Sequence, residues 1–577
     1  MTDFRNNRPL VPDMGTFSAM VTRRLQAIYQ SEFSEGIVNR ILAIANTRFP
    51  EQPEWNEKDI ILITYGNSIL SPGEKPLKSL LRFLDSYLKD SIGCVHILPF
   101  FPFSSDDGFA VCDFMNVNPE LGAWEDIEAI RTAYDLMADL VINHISSEHN
   151  WFRNFLQNKS PGKDYFIEPE GGFDYSLVIR PRSSPLFTEF LTANGMREVW
   201  TTFSRDQIDL NFANPEVLLE MIRLLVFYMG KGVRFIRLDA IAFIWKRKGT
   251  PCLHLNEAHE IVKLLRDIAT YVSPGTVIIT ETNVPNKENW SYFGNADEAN
   301  MVYQFSLPPL LLNAIFSRNS DYLTQWAKGI PLTQPGQTFL NYTASHDGIG
   351  VRPLEDILPE YEITRLIEGM VNFGGRISMK TNREGTLSPY EINITYFDAM
   401  KGTHAGIDTF QEVRFICSQT IMMSMKGIPA FYIHSILATP NDYEGVEFTG
   451  RARSINRKQL FLNDLSRDLS ADTIRKRVYT ELTRLIKIRR AQPAFNPGSV
   501  QEILEPGNAV FAFTRRNEAT GEKIHCISNI SDKPVTIESI LSSNKKGYDL
   551  IGNSEYIAAD RILLTPYQTI WLKETPI

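Results

Sequence analysis

The stretch GVRFIRLDA at 232–240 sets two arginines and an aspartate into an otherwise apolar run. Side chains two apart on a strand share a face, so Arg237 and Asp239 point the same way. Six further runs have the same character: DIILITYG (59–66), GCVHILPF (93–100), DLMADLVINH (135–144), GTVIITET (275–282), TFLNYTASHD (338–347) and GIPAFYIH (427–434). They are nearly continuous in apolar residues rather than alternating, as strands covered on both faces of a parallel sheet should be. Helix-compatible segments separate them, among them PEVLLEMIRLLVFYMGK (215–231) and EAHEIVKLLRDIATYV (257–272). Seven or eight such units in series predict an α/β fold, a (β/α)8 TIM barrel, with an open doubly wound sheet as the competing arrangement.

Around that core, residues 1–55 read as a helical extension, since 16–48 carry apolar positions at three- and four-residue spacing. The catalytic barrel is predicted over 56–499. Two intervals are too long and polar for plain βα units: 146–205, an inserted domain with KSPGKDYF and RPRSSP, and 348–400, a long loop region with RPLEDILPEYE and GGRISMKTNREGTLSP. Both follow strands, so both should wall one pocket at the carboxyl ends of the barrel strands. From 500 to 577 short strands alternate with turns, which predicts a small C-terminal β domain.

Composition narrows the function. The net charge is −9 and no Lys/Arg block stands out, which argues against nucleic acid or an anionic membrane as partner and for a small-molecule substrate. The five cysteines, Cys94, Cys112, Cys252, Cys417 and Cys526, lack the spacings of a disulfide or zinc framework. The opening MTDFRNNRPLVPDMG has no apolar signal core, and no apolar run approaches the roughly 18 to 20 residues of a membrane span. A cytoplasmic location is expected; a homodimer is compatible with the sequence and not fixed by it.

Three carboxylates stand at or just after predicted strand ends: Asp239, Glu281 in VIITETN and Asp347 in TASHDGIG. One alone would pass for a cap or surface residue. Three on one rim, with Arg237 to keep Asp239 ionised, suit a retaining displacement at a sugar, in which one carboxylate attacks the anomeric carbon and another protonates the leaving oxygen. His96, His259 and His525 read as structural histidines.

DLVINH (139–144), GVRFIRLDA (232–240), TETN (280–283) and ASHDGIG (344–350) resemble, in order and spacing, the four signature segments of the α-amylase family, glycoside hydrolase family 13. The likeness runs from about residue 59 to the C-terminus. SSDDGF (104–109), WTTFSRDQIDLN (200–211), LPPLLLNA (307–314), HDGIG (346–350) and INR (455–457) are similar to its sucrose phosphorylase subfamily. The resemblance implies Asp239 as nucleophile, Glu281 as general acid/base and Asp347 as transition-state stabiliser. It implies His144 and His346 on glucose hydroxyls and Asp106 with Arg457 clamping the far side of the ring, with Phe109 and Arg237 in the same substrate site. Inorganic phosphate would be the co-substrate, with no other cofactor and no metal. Asn143, which helps bind calcium in many amylases, is expected to be a hydrogen-bonding strut.

Phosphate as attacking group needs cationic donors and exclusion of water. By the same resemblance Arg182 in IRPRSSPLF and Tyr390 in SPYEIN match phosphate-site residues. Other positions depart from the sucrose-specific pattern: Ser388 and Glu391 flank the tyrosine, Asn283 stands where a histidine is expected and Phe243 where a tyrosine is. This set, with ETNVP, HDGIGVRP and SPYEIN, is similar to the subfamily's glucosylglycerate phosphorylases, whose acceptor is D-glycerate. Asn283, Glu391 and Arg352 are then acceptor-site candidates, and Lys380 and Arg383 are further cationic ones. Sucrose phosphorolysis, phosphate-independent hydrolysis of α-glucosides and a non-catalytic amylase-like role are the alternatives.

Overall fold

A computed structural model describes residues 2–3, 8–9, 11–182, 184–382, 386–541, 545–558 and 561–576. Eight strands close into a parallel barrel in chain order: β1 (Ile61–Thr64), β2 (Cys94–Ile97), β3 (Asp135–Val141), β4 (Val233–Asp239), β5 (Val277–Thr280), β6 (Met301–Tyr303), β7 (Thr338–Asn341) and β8 (Ile428–Tyr432). β8 pairs back onto β1, which excludes the open sheet. Seven of these strands fall within the apolar runs of the sequence. The eighth, β6, is three residues long and too short to stand out as a run.

Every residue of β1, β2, β4 and β5 is buried, because helices cover the outer face while side chains fill the interior. The helix Pro215–Gly230 shows how the local sequence sets this packing. Asn214 caps it by accepting from the Glu216 N–H at 3.0 Å, and proline occupies its first position. Gly232 then turns the chain into β4 with φ +79°, where an added Cβ would lie 2.7 Å from Arg131 Cδ.

The N-terminal helices Met14–Tyr29 and Glu35–Ile44 lie on the outside of the barrel, against the helices Asn256–Val272 and Pro215–Gly230. Phe17 stacks on Tyr271 at 3.8 Å, and Arg24 reaches Asp267 at 3.0 Å, Glu260 at 3.2 Å and Asp297 at 3.0 Å. None of their residues lines the cavity at the carboxyl rim, although Tyr29 reaches Trp245 beyond β4 with ring centroids 6.1 Å apart.

Segments leaving β3 and β7 rise above that rim. The first holds the helix Asn150–Leu156 and a hairpin of Phe187–Thr192 with Gly195–Trp200, fastened by a small apolar cluster of Val178, Trp200 and Cys252. The second holds the helix Glu360–Asn372 and a three-stranded antiparallel sheet of Ile349–Gly350, Leu387–Asn393 and Arg376–Thr381. After the helix Ile474–Arg490 a six-stranded antiparallel sheet completes the chain, with an apolar cluster of its own around Val510, Ile527, Ile562 and Leu572. No helix among the described residues is long and apolar enough to cross a membrane.

Candidate active site

The carboxyl ends of the strands open into a cavity of about 700 Å³, walled by both insertions: Val178–Arg182 and Phe203 from the first, Arg352, Lys380 and Tyr390 from the second. Asp239 is the last residue of β4, Glu281 follows β5 directly, and Asp347 lies six residues beyond β7. All three line the cavity.

A chain of charges fixes the floor. In the β3–β4 register Arg237 stands opposite Asp139, so both side chains emerge on the same face. Arg237 Nη1 donates to Asp139 Oδ1 and to Asp239 Oδ1, each at 2.6 Å, and its Nη2 lies 3.8 Å from Glu281 Oε2. Asp139 meets His96 Nε2 on its other oxygen at 2.7 Å. One guanidinium thus touches both members of the carboxylate pair, but only Asp239 at hydrogen-bonding distance.

That asymmetry separates their protons. Burial leaves Asp239 raised above its ordinary value, but the Arg237 charge beside it opposes that rise. Glu281 lacks such a bond to a cation and accepts instead from the Ala240 N–H at 3.1 Å. Burial lifts it to about 7 against the pull of Arg237, and the negative charges of Asp239 and Asp347 add to the rise. An ionised Asp239 beside a protonated Glu281 is the pairing that a double displacement at an anomeric carbon requires.

Asp347 resolves the opposite way. Burial opposes its charge, yet Arg453, His346, Arg457 and Arg237 hold its carboxyl far below the usual range. Arg453 Nη1 lies 2.7 Å from Asp347 Oδ1, and its remaining nitrogens grip Glu391, with Nε 3.0 Å from Oε2. Sequence reasoning missed Arg453; its place four residues before Arg457 in RARSINR was the available signal.

His346 is buried, stacked on Phe109 with ring centroids 4.8 Å apart, and burial lowers it to about 3. His144 donates from Nε2 to the Phe109 carbonyl at 3.0 Å and accepts at Nδ1 from Asn143 at 3.2 Å, and burial lowers it as well. Neutral imidazoles and a ring platform suit the hydroxyls and apolar face of a sugar. Asp106 lines the same cavity and accepts from Gln207 Nε2 at 3.2 Å.

Arg457 corrects the expected clamp. It does not pair with Asp106 or line the large cavity; it pairs with Asp107, donates from Nε to the His346 carbonyl at 2.9 Å, and faces an adjoining cleft of about 530 Å³. Asp106 and Asp107 both have left-handed backbone, φ +54° and +49°, so the two neighbouring carboxylates diverge to opposite sides of the turn. Strain of this kind persists only where surrounding contacts over-determine it.

Asn143 hydrogen-bonds to Asp209 and His144 and accepts from a buried ammonium. Lys246 Nζ sits 3.1 Å from Asn143 Oδ1, 2.6 Å from Asp209 Oδ2 and 2.5 Å from the Phe243 carbonyl. His259 and His525 are tied to Glu298 at 2.6 Å and Glu574 at 2.7 Å, away from the cavity lining.

The acceptor candidates divide. Arg182 lies over the Tyr390 ring at 5.4 Å and the Phe203 ring at 5.9 Å, in the cavity wall. Burial raises the Tyr390 phenol to about 12, so it is a hydroxyl donor at neutral pH. Asn283 lines the wall with its Oδ1 buried and without a partner, and a Cβ on Gly350 would fall 2.6 Å from that oxygen. Glu391 is occupied by Arg453 rather than free for a ligand. Arg352 leans to Glu288 at 3.5 Å, and Lys380 to Glu355 at 3.6 Å. Arg383 lies outside the described residues.

A closed parallel barrel whose carboxyl rim carries an acid and an ionised carboxylate under one guanidinium belongs to the class of barrels that act on glycosidic bonds. The comparisons with known proteins agree. The family description "Alpha amylase, catalytic domain" matches residues 79–335. The chain is 44% identical to the glucosylglycerate phosphorylase of Escherichia coli K12, over 90% of this chain and 92% of that protein. It is 47% identical to the glucosylglycerate phosphorylase of Spirochaeta thermophila, over 82% and 80%. The crystal structure of sucrose 6F-phosphate phosphorylase from Thermoanaerobacter thermosaccharolyticum is similar with a TM-score of 0.72 and 25% identity, covering 88% of this chain and 98% of that one. The chain belongs to the α-amylase family, in its sucrose phosphorylase subfamily, on the branch of the glucosylglycerate phosphorylases.

Proposed function

We propose that this chain catalyses the reversible phosphorolysis of 2-O-α-D-glucosyl-D-glycerate, giving α-D-glucose 1-phosphate and D-glycerate with retention. The observation that carries the chemistry is the split between Glu281, lifted to about 7, and Asp239, hydrogen-bonded to Arg237. The names of relatives 42–47% identical over most of the chain support the substrate.

In the first half-reaction Glu281 gives its proton to the glycosidic oxygen as Asp239 attacks the anomeric carbon, and glycerate leaves. In the second, the Glu281 carboxylate takes the proton of monohydrogen phosphate while a phosphate oxygen displaces Asp239 from the sugar. Arg237 holds the nucleophile ionised, and Asp347, anchored by Arg453, faces the positive charge that develops on the ring. His144, His346, Phe109 and Asp106 bind glucose, with Arg457 acting from behind through Asp107 and the His346 carbonyl. Arg182 and Tyr390 receive phosphate as co-substrate, and Arg352 and Asn283 border the acceptor. The cavity sits above a buried charge network, which strengthens each of these interactions relative to water.

The experiment is a donor panel with purified enzyme, in which glucose 1-phosphate is measured with phosphate and each glucoside. Glucosylglycerate should exceed sucrose; faster turnover of sucrose would overturn the substrate, and glucose release independent of phosphate would point to a hydrolase. Sucrose remains the second reading on the strength of the shared subfamily motifs, against which Phe243, Asn283, Ser388 and Glu391 weigh.

A further inference from the structure

Among the described residues six carboxylates border the large cavity: Asp106, Asp239, Glu281, Asp347, Glu355 and Glu391. The first four already have parts in the reaction, and Glu355 is half-exposed beside Lys380. Glu391 differs from all of them, being 1% exposed with both oxygens on a single partner. Arg453 donates to it from Nε at 3.0 Å and again from Nη2. The remaining nitrogen of that guanidinium, Nη1, lies 2.7 Å from Asp347 Oδ1.

Three separate parts of the chain hold this trio. Glu391 stands opposite Gly350 in the register of the strand Leu387–Asn393, and a Cβ added to Gly348 would lie 3.0 Å from Glu391 Cβ, so the segment after Asp347 runs hard against that strand. Arg453 comes from the short helix Ala452–Asn456 beyond β8. That helix is fixed to the same segment, with Asn456 Nδ2 donating to the Ser345 carbonyl at 2.6 Å and Arg457 Nε to the His346 carbonyl at 2.9 Å. A planar fork spanning a gap whose two sides are fixed has one orientation left to it.

Asp347 is under two opposed demands. Burial opposes its charge, so it needs a cation nearby to stay ionised. A cation that belonged to it alone would cancel the field that a positive charge developing on the sugar should meet. Asp347 and Arg453 sum to zero, and Glu391 brings the trio to one net negative charge. We infer that Glu391 is a positioning residue for the transition state at the sugar: it takes up the charge of Arg453 and fixes its orientation, leaving Asp347 ionised and negative toward the anomeric centre. This rests on the double displacement of the proposed function, and it removes Glu391 from the ligands of the acceptor. The effect falls on the glucosyl unit, which every donor and both half-reactions share. It also reaches Glu281, whose charged neighbours are Arg237, Asp239 and Asp347, with the phenols of Tyr303, Tyr342 and Tyr390 facing it too. Without Glu391, Arg453 answers Asp347 alone, the upward push of Asp347 on Glu281 shrinks, and Glu281 loses its proton at lower pH.

The test uses the full chain and its E391Q, E391D, R453Q and E391Q/R453Q variants, with glucosylglycerate and α-D-glucosyl fluoride as donors and phosphate as acceptor. E391Q should lose at least about tenfold in kcat on both donors, by factors that agree within about threefold, while the KM for phosphate stays within about threefold of its original value. E391D, which keeps the charge, should recover part of the loss. The alkaline limb on glucosylglycerate should stand at lower pH in E391Q than in the unmodified enzyme. Because Glu391 acts through Arg453, the double variant should match R453Q within about threefold. That comparison serves even where E391Q fails to fold, since removing both members leaves neither buried without its partner. A loss confined to glucosylglycerate, with fluoride release untouched, would make Glu391 an acceptor ligand and overturn the inference. Losses that add in the double variant, or an alkaline limb unmoved in E391Q, would overturn it as well. Absence of glucose 1-phosphate from glucosylglycerate and phosphate in the unmodified enzyme would bring down the parent reading, while fluoride release and the double variant still decide the part of Glu391.

Discussion

The alkaline limb of the pH profile should belong to Glu281 and vanish with its task. In the folded protein burial lifts this carboxyl from 4.5 to about 7, a gain in proton affinity of about 3 kcal/mol at about 1.36 kcal/mol for each pH step. It is then about 90% protonated at pH 6 and about 10% at pH 8. Cleavage of glucosylglycerate needs that proton, so kcat/KM should decline through about pH 7 as the free enzyme loses it. The control is α-D-glucosyl fluoride, whose leaving group needs no proton and whose first half-reaction should lack the decline. Glu281→Gln completes the design: about a 100- to 10,000-fold loss on glucosylglycerate, with no remaining alkaline limb, and a far smaller loss in release of fluoride. Initial rates from pH 5 to 9 with both donors measure all of this. The same alkaline limb for both donors, or one left unmoved in the variant, would refute the assignment of the proton to Glu281.

The same lifted carboxyl links pH to stability. A raised folded value favours the folded state below about pH 4.5 and loses that contribution as pH rises through about 7, beyond which a buried charge stands as a cost. Glu281→Gln should therefore raise the melting temperature at pH 8 more than at pH 5, read by differential scanning fluorimetry. Asp239→Asn should reduce glucosylglycerate phosphorolysis below about one thousandth while leaving the melting temperature within a few degrees, as measured by rates and thermal melts; activity near the original would exclude a covalent role. Lys246→Met leaves the fully buried Asp209 carboxylate without its ammonium, and the cost should be about 3 kcal/mol, visible as a lower urea midpoint.

What could be read from residue order was set by local physics. Continuous apolar runs such as VRFIRLD mark strands covered on both faces, and their serial repetition between helical segments led to the barrel. The carboxylates Asp239 and Glu281 lie at strand ends, where two-residue periodicity and the barrel's polarity already direct them to one rim. The strand Met301–Tyr303 escaped notice because three residues carry too little pattern, and its pairing with β5 and β7 defines it instead.

The division of labour among the charges was decided in three dimensions. The family resemblance singled out Asp106 and Arg457 but left their actual partners, and the part played by Arg453 and Asp107, unassigned. A left-handed turn sends one aspartate to the glucose cavity and the other to Arg457, while Arg453 meets Asp347 and Glu391 across more than sixty residues of chain. Likewise the sequence offered Arg352 and Lys380 as acceptor candidates, and only packing showed that Glu288 and Glu355 lie beside them. A charge's function depends on its nearest opposite charge and on its exposure, both properties of tertiary neighbours. The sequence by itself determined the serial α/β order, the rim and, through the family resemblance, the roles of the carboxylates; the tertiary structure decided that the barrel closes and which cations already have a carboxylate partner, because pairing depends on neighbours far apart in the chain.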